Sequence, residues 1–466
     1  MEEYRRIADR VEAAVRDGRL TPGDRLPPQR VFDRRHRIAN STAIRVYGEL
    51  ARRGLVVGEV GRGTFVRAAP PLPGPALAEA TGTAPVDLQL NYPVVEGQSE
   101  LMARALAALA RPDVLAEAVS GPAAATGTPE AREAAVSVLA RPGWAPDPES
   151  VLFAGNGRQA IAAALAALVP PGGRLGVEAL TYPLVKAVAE RLGIQLVPLA
   201  LDGDGDGDGG GGGHRDSEGR GGGIRPEALA AAHRATPLAA VYLQPTLHNP
   251  LATTMSGPRR AELAELLRSL DLTAVEDTTW AFLAPGAGPG VAPPPLAAFA
   301  PERVLLVDSL SKRLAPGLTV GYLVVPGRLR PAVAEALRSG AWTAGGLALA
   351  AATRWAGDGT VAEAVAAKRA DTAARHALVR RRFDGYAVRT SPHAYYCWWE
   401  LPAPWRAETF TAAAAARAGV AVTPGSAFAV GRGSAPDAIR VGLASPPHAV
   451  LDGALARLAA LAAEGA

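Results

Sequence analysis

Apolar residues at the start of the chain recur at helical spacing. Tyr4, Ile7, Ala8, Val11, Ala14 and Val15 share one face while Arg5, Arg6, Asp9, Arg10 and Glu12 take the others, which predicts an amphipathic helix stopped by Gly18, Pro22 and Gly23. A second helix is expected to open at Leu26-Pro27-Pro28-Gln29-Arg30, with proline in the first turn, where its missing N–H is not needed. Asn40-Ser41-Thr42 offers N-caps for a third, with Ile44, Tyr47, Leu50 and Ala51 expected inward and Arg45, Glu49 and Arg52 outward. Leu55–Val57 and Thr64–Val66, flanking a glycine-bounded turn from Gly58 to Gly63, read as a hairpin.

The pattern then changes. Ala68-Ala69-Pro70-Pro71-Leu72-Pro73-Gly74-Pro75 can neither continue a helix nor pair as a central strand, so the first domain is read as 1–67 and 68–86 as a semi-rigid linker. From 87 to 466, short β-branched or aliphatic runs alternate with Ala/Leu-rich helical stretches. The runs are Val151–Phe153, Leu175–Val177, Gln195–Leu199, Ala239–Leu243, Leu272–Val275, Val304–Val307 and Val320–Val325. This order predicts an α/β domain around a mostly parallel central sheet. Within it, 202–223 is an Asp/Gly-rich tract. Its opening resembles half of an EF-hand loop, but the twelfth position is Gly213 rather than Glu, so the tract reads as a disordered surface insertion.

Charge sharpens this division. Residues 1–67 hold fifteen arginines, no lysine and nine acids, whereas the whole chain of 466 residues has a net charge of only +4. A basic head on a slightly acidic body is the electrostatic pattern of a nucleic-acid-binding module joined to another domain. Only three lysines occur in the chain, Lys186, Lys312 and Lys368. The single cysteine, Cys397, excludes a disulfide framework within the chain, and the seven histidines show no metal-ligand spacing, so no metal is expected. The first residues lack an apolar signal region and the apolar stretches are short, so a cytoplasmic protein with no membrane span is expected.

Three helices and a hairpin, with arginine on the third helix and Arg62 at the hairpin tip, describe a winged helix-turn-helix. Its third helix fits the major groove, where arginine reads guanine, and a wing arginine enters the minor groove. The run Leu20-Thr21-Pro22-Gly23-Asp24-Arg25-Leu26-Pro27-Pro28-Gln29-Arg30, with Ser41-Thr42 and Val60-Gly61-Arg62-Gly63-Thr64-Phe65-Val66, resembles the DNA-binding domain of the GntR family of bacterial regulators. The resemblance implies that Arg30, Asn40, Ser41, Thr42, Arg45, Gly61, Arg62 and Gly63 approach operator DNA. His36-Arg37 stands where the family usually has Leu-Gly.

In the body, Lys312 follows the buried-looking strand Val304–Val307 and is flanked by Ser309 and Ser311, hydroxyls suited to a phosphate. Pyridoxal 5′-phosphate needs such a lysine to form an imine while its phosphate is held separately. Asp277 ends a strand with a carboxylate that would keep a pyridine nitrogen protonated, and Asn249 supplies an amide for a phenolic oxygen. Gly157 and Arg158 open a helix whose N-terminal amides suit phosphate. Tyr182 offers a face for a ring, and Arg440 a fork for a substrate carboxylate.

This set, in this order, resembles the fold-type I aminotransferases of class I/II, and with its head the chain resembles the MocR subfamily of GntR regulators. The resemblance implies a PLP-dependent transferase domain with pyridoxal 5′-phosphate attached at Lys312, Asp277 on its ring nitrogen, Asn249 on its phenolic oxygen and Tyr182 stacked on the ring. It further implies phosphate contacts from Gly157, Arg158, Ser309 and Ser311, and Arg440 on the carboxylate of an amino-acid or amine effector. The chain departs from the family at Thr319, usually arginine, leaving Arg313 or Arg158 to supply that charge. It departs again at Thr278-Thr279-Trp280, where a tyrosine is usual, and around Gly121-Pro122, where no partner-reaching tyrosine is found. The function expected is a homodimeric transcriptional regulator sensing pyridoxal phosphate or an amine. The alternatives are a catalytic aminotransferase, and a regulator whose large domain has lost the cofactor and only dimerises.

Overall fold

Residues 3–16, 19–21, 23–52, 55–59, 63–66, 84–119, 124–202, 222–286, 291–431 and 435–464 are described by the structure, a computed structural model. In the head, helices α1 (Glu3–Arg16), α2 (Gln29–His36) and α3 (Asn40–Arg52) close over a core of Ile7, Ala8, Val11, Phe32, Ala43, Val46, Tyr47 and Leu50. Strands β1 (Arg25–Leu26), β2 (Val56–Glu59) and β3 (Gly63–Val66) form an antiparallel sheet in the order β1-β3-β2.

Two expectations for the head change. Leu26 is buried in β1 and α2 starts at Gln29 with Pro28 as its N-cap, one turn later than the apolar pattern suggests. On α3 the buried stripe is Ala43, Val46, Tyr47 and Leu50; Ile44 is 50% exposed, Ala51 is exposed and Glu49 is buried. The small Ala43 side chain faces the core in place of the bulkier Ile44, turning the buried face by one residue while keeping Tyr47 and Leu50 inside. Arg37 caps α2 in the left-handed region at φ 52°, a conformation that glycine adopts without strain and an L-residue at a cost.

The body is built on a seven-stranded sheet. A short strand β4 (Val86–Asp87) precedes β5 (Val151–Ala154), β6 (Arg174–Glu178), β7 (Gln195–Leu199), β8 (Ala240–Leu243), β9 (Thr273–Asp277), β10 (Val304–Ser309) and β11 (Gly321–Val324). The order is β5-β11-β10-β9-β8-β6-β7; β11 runs antiparallel to both neighbours and the other pairings are parallel. Five of these strands, β5, β8, β9, β10 and β11, are buried throughout. Apolar clusters lie on both faces of the sheet, one around Val241, Ala274 and Leu306 and the other around Leu175, Tyr242 and Val307, as parallel strands covered on two sides by helices require.

A smaller antiparallel sheet follows. Strands β12 (Val388–Arg389), β13 (Tyr396–Glu400), β14 (Val420–Ala421), β15 (Thr423–Pro424) and β16 (Ala438–Gly442) precede a last helix, His448–Ala463; the sheet order is β12-β13-β16-β15, and β14 pairs in parallel with β4. That last pairing ties residues 86–87 to 420–421, so the segment from Gln89 to Tyr92 lies against the C-terminal portion. The Asp/Gly-rich tract from 203 to 221 and the segment around Gly121-Pro122 lie outside the described residues. Among the described residues, no helix is long and apolar enough to cross a membrane, and no cluster of three or more potential metal ligands occurs.

Candidate functional site

Three strand ends converge to make the site. β5 ends at Ala154, and the side chain of Asn156 accepts the Gln159 N–H at 3.0 Å, capping the helix Gly157–Leu168. β9 and β10 run in parallel register with Val307 opposite Asp277, which places Asp277 and Ser309 at adjacent strand ends. Ser309 then caps the short helix Leu310–Arg313: its Oγ accepts the Ser311 N–H at 2.9 Å and lies 2.8 Å from Ser311 Oγ, which in turn lies 2.7 Å from Thr319 Oγ1. A Cβ at Gly157 would stand 3.1 Å from Ser309 Cβ, so glycine lets the helix N-terminus close onto the strand.

Lys312, in that helical turn, donates from Nζ to the Asn91 carbonyl at 2.7 Å and sits 3.8 Å from the centre of the Tyr92 ring and 5.3 Å from that of Trp280. Burial drives its amine well below the ordinary lysine range, helped by the positive charges of Arg440, Arg158 and Lys368. Burial raises the Asp277 carboxyl instead, while hydrogen bonds from the Tyr242 hydroxyl at 2.6 Å and the Thr279 N–H at 2.9 Å oppose that rise. Arg440 projects from β16, donates to the Gln89 carbonyl and to Thr423 Oγ1, and is lowered to about 10 by burial, so it stays charged at neutral pH.

Lys312, Asp277, Asn249, Tyr182, Gly157, Arg158, Ser309, Ser311 and Arg440 all line one cavity of about 290 Å³. Its lining carries three basic side chains, Lys312, Arg158 and Arg440, against one carboxylate, Asp277. Asn249 Oδ1 and Arg440 Nε are buried without a hydrogen-bond partner among the described residues. An excess of positive charge, unsatisfied polar atoms and a glycine-opened helix N-terminus beside two serines are what a phosphate-bearing, polar ring would satisfy. The residues present therefore fit pyridoxal 5′-phosphate.

Some expectations are redirected. Arg313 does not face the cavity: it is buried in an ion pair with Asp308, at 2.6 Å, so it leaves the cavity's charge to others. Arg158 remains as the arginine beside the serine end, its Nη2 donating to the Tyr92 hydroxyl at 3.0 Å. Thr319, at the usual arginine position, lines the cavity as a hydroxyl.

Several contributors escape a reading of the sequence. Asn91 and Tyr92 lie in a loop with no periodic pattern, more than two hundred residues from Lys312. Tyr242, a phenol in an otherwise aliphatic strand, carries the one local signal that could have found it, since such a hydroxyl needs a buried partner. The other two lysines also act around the cavity. Lys368 is fully buried and donates to the carbonyls of Lys312 at 3.0 Å and Leu314 at 2.7 Å. Lys186 donates to the carbonyls of Ser426, Ala427 and Ala429, at 3.4, 2.9 and 2.8 Å, holding the turn that presents Phe428 to the cavity. A compact ammonium with three rotatable donors suits these carbonyl nests, where the planar fork of arginine would not.

On the head, Arg30, Asn40, Ser41 and Arg45 are exposed and Thr42 is half-buried, so α3 presents a polar face with arginine on it. Gly63 opens β3 at φ 124°, where a Cβ would stand 2.7 Å from Arg25 Nε. Gly61 and Arg62 lie outside the described residues.

Comparison with known proteins agrees with both halves. Residues 86–458 match the family model "Aminotransferase class I and II", and residues 3–66 match "Bacterial regulatory proteins, gntR family". The HTH-type transcriptional regulator YdeF of Bacillus subtilis is 29% identical over 443 residues, covering 95% of this chain and 90% of that protein. The HTH-type pyridoxine biosynthesis transcriptional regulator PdxR of Corynebacterium glutamicum is 25% identical over 329 residues, covering 69% of this chain and 65% of that protein. Among solved structures, an archaeal alanine:glyoxylate aminotransferase superposes with TM-score 0.68 at 23% identity, covering 81% of this chain and 91% of its own. LysN, an α-aminoadipate aminotransferase from Thermus thermophilus, superposes with TM-score 0.67 at 20% identity, covering 81% of this chain and 92% of its own.

Proposed function

The chain belongs to the class I and II aminotransferase family through its body and carries a GntR-family head, the composition of a MocR-type transcriptional regulator, and from that premise we propose that pyridoxal 5′-phosphate held at Lys312 sets its grip on operator DNA. The observation that carries this reading is the convergence of nine residues from separate parts of the chain on one cavity, with Lys312 among them. When bound, pyridoxal phosphate supplies an aldehyde that condenses with primary amines and a ring that withdraws electrons.

Each residue then has a task. Lys312, its amine driven down by burial, would offer the lone pair that attachment needs. Asp277, which accepts from the Tyr242 hydroxyl and the Thr279 N–H, would take the ring nitrogen, and Asn249, whose Oδ1 is buried without a partner among the described residues, would take the ring's polar edge. Gly157, Arg158, Ser309 and Ser311 would hold the phosphate, Tyr182 would cover the ring, and Arg440 would take the carboxylate of an amino-acid effector. Exchange of Lys312 for an effector amine is the chemistry the group would supply there, and the resulting change in the body would alter how two heads, one from each protomer of a homodimer, meet paired half-sites in DNA.

A second reading, catalytic transamination, draws support from the same lowered Lys312 amine, because a lysine freed in the cavity could carry a proton at the substrate α-carbon. The two are separated by one experiment on the full chain: band shifts on its upstream DNA with and without pyridoxal phosphate and candidate amino acids, alongside an assay for keto-acid release. A regulator changes its DNA affinity with the ligand and releases no more than one equivalent of keto acid. Sustained turnover with DNA affinity unaltered would replace this reading with the enzymatic one.

A further inference from the structure

A second cavity, of about 100 Å³, lies on the other side of the β10 strand end and is lined by Arg141, Arg369, Trp144, Thr246, Thr278 and Leu306, among others. Its charges do not balance. Arg141 and Arg369 line it, and Arg313 stands immediately behind, close enough that each of the other two guanidiniums is destabilised by its charge. Against these three stands one carboxylate, Asp308, already committed to Arg313 at 2.6 Å and holding Arg141 only at 3.8 Å. Asp308 is further occupied by the Ser309 N–H and the Thr278 hydroxyl. Arg260, bordering the same region through Pro294, has its own partner in Glu276 at 3.6 Å, and residues 281–295 carry no acid or base.

The guanidiniums also have donors to spare. Arg141 Nη1 bonds the carbonyls of Val138 and Ala140, and Arg369 bonds those of Phe282 and Ala284 through Nε and Nη2. Among the described residues, Arg141 Nη2 and Arg369 Nη1 make no hydrogen bond. Burial and the neighbouring Arg313 and Arg369 push Arg141 down to about 9, and Asp308 at 3.8 Å only partly offsets them. Arg141 and the exposed Arg369 thus bring unbonded guanidinium donors to a small concave space with apolar sides, which makes a receptor for an anion, and the size admits only a small one.

We propose that this cavity binds a small anion, a halide or a short carboxylate, between Arg141 and Arg369. The site is separate from the Lys312 cavity and stands whether or not pyridoxal phosphate binds there. An anion in it neutralises the excess charge behind Asp308, whose other contacts, Thr278 and Ser309, adjoin Asp277 and the serine end of the first cavity.

The test follows thermal unfolding of the full chain as sodium chloride or sodium acetate replaces the bulky sodium HEPES salt at constant ionic strength. Wild type gains a saturable rise in Tm of about 3 °C or more with either small anion, because a ligand that binds only the folded state stabilises it. Arg141→Gln and Arg369→Gln chains lose that dependence. Should either variant not fold, bromide soaked into wild-type crystals gives an anomalous peak within hydrogen-bond reach of both guanidiniums. Midpoints that are equal in all three salts, or bromide found only on the outer surface as an adventitious ion only, would overturn the proposal.

Discussion

The ammonium of Lys368 donates to the backbone carbonyl of Lys312 at 3.0 Å, so one of the chain's three lysines seats another. The same ammonium reaches Leu314, and Gln98 Nε2 adds a second donor to that carbonyl at 3.1 Å. The turn that carries Lys312 is thereby held from below by a buried amine.

That arrangement has a pH signature. Burial lowers Lys368 to about 7 while its unfolded value is 10.5, so between those values the unfolded chain binds the extra proton and folding becomes more favourable as pH rises. The stability of wild type relative to Lys368→Met is therefore expected to climb from pH 7 toward pH 10, by up to about 1.4 kcal/mol per unit. Urea unfolding of both chains across this range checks it; parallel curves would show that Lys368 does not titrate there.

Removing the Tyr242 hydroxyl strips Asp277 of its 2.6 Å donor. A hydrogen bond to a charged group contributes about 1.5–3 kcal/mol, so Tyr242→Phe is expected to weaken pyridoxal phosphate binding tenfold or more by favouring the protonated acid. Fluorescence or absorbance titration with the cofactor measures it. An unchanged Kd would remove Asp277 from the ring nitrogen.

Arg313→Ala leaves Asp308 buried with Arg141 still 3.8 Å away. Breaking a buried pair from one side costs about 3–5 kcal/mol, so a large loss of stability is expected in denaturant unfolding, with Arg313→Lys recovering only part of it.

Arg45 is exposed on the face of α3 that we propose meets DNA. If it reads a guanine, Arg45→Ala is expected to cost about 1–3 kcal/mol and to relax preference at one operator position; if it holds a phosphate, affinity falls evenly and the salt slope drops by about one. Competition binding to operator variants at several salt concentrations tells the two apart, and no loss in either assay would turn α3 away from DNA.

How much of this was legible beforehand depended on whether the signal was local. Asp277 could be read because it ends an apolar run, and Lys312 and Asn249 because each falls in the short polar segment that follows one, where a residue of the right type stands out. Gly157 could be read because a glycine turn opening a helix is a local pattern. Tyr92 and Asn91 could not, since their approach to Lys312 depends on β4 pairing with β14, across more than three hundred residues. Arg313 was readable as a basic neighbour of Lys312 but not in its direction, because a short helical turn sends adjacent side chains different ways and Asp308 captures this one. On α3 the expected stripe placed Ile44 inward, and packing of Ala43 instead turns the buried face by one residue.

The scarcity of lysine makes the central assignment directly measurable. The full chain incubated with pyridoxal phosphate, reduced with borohydride and digested should carry the phosphopyridoxyl mass on the peptide containing Lys312, with Lys186 and Lys368 unmodified because neither amine lines the cavity. A label on either of those two lysines, or none on Lys312 at saturating cofactor, would contradict the account.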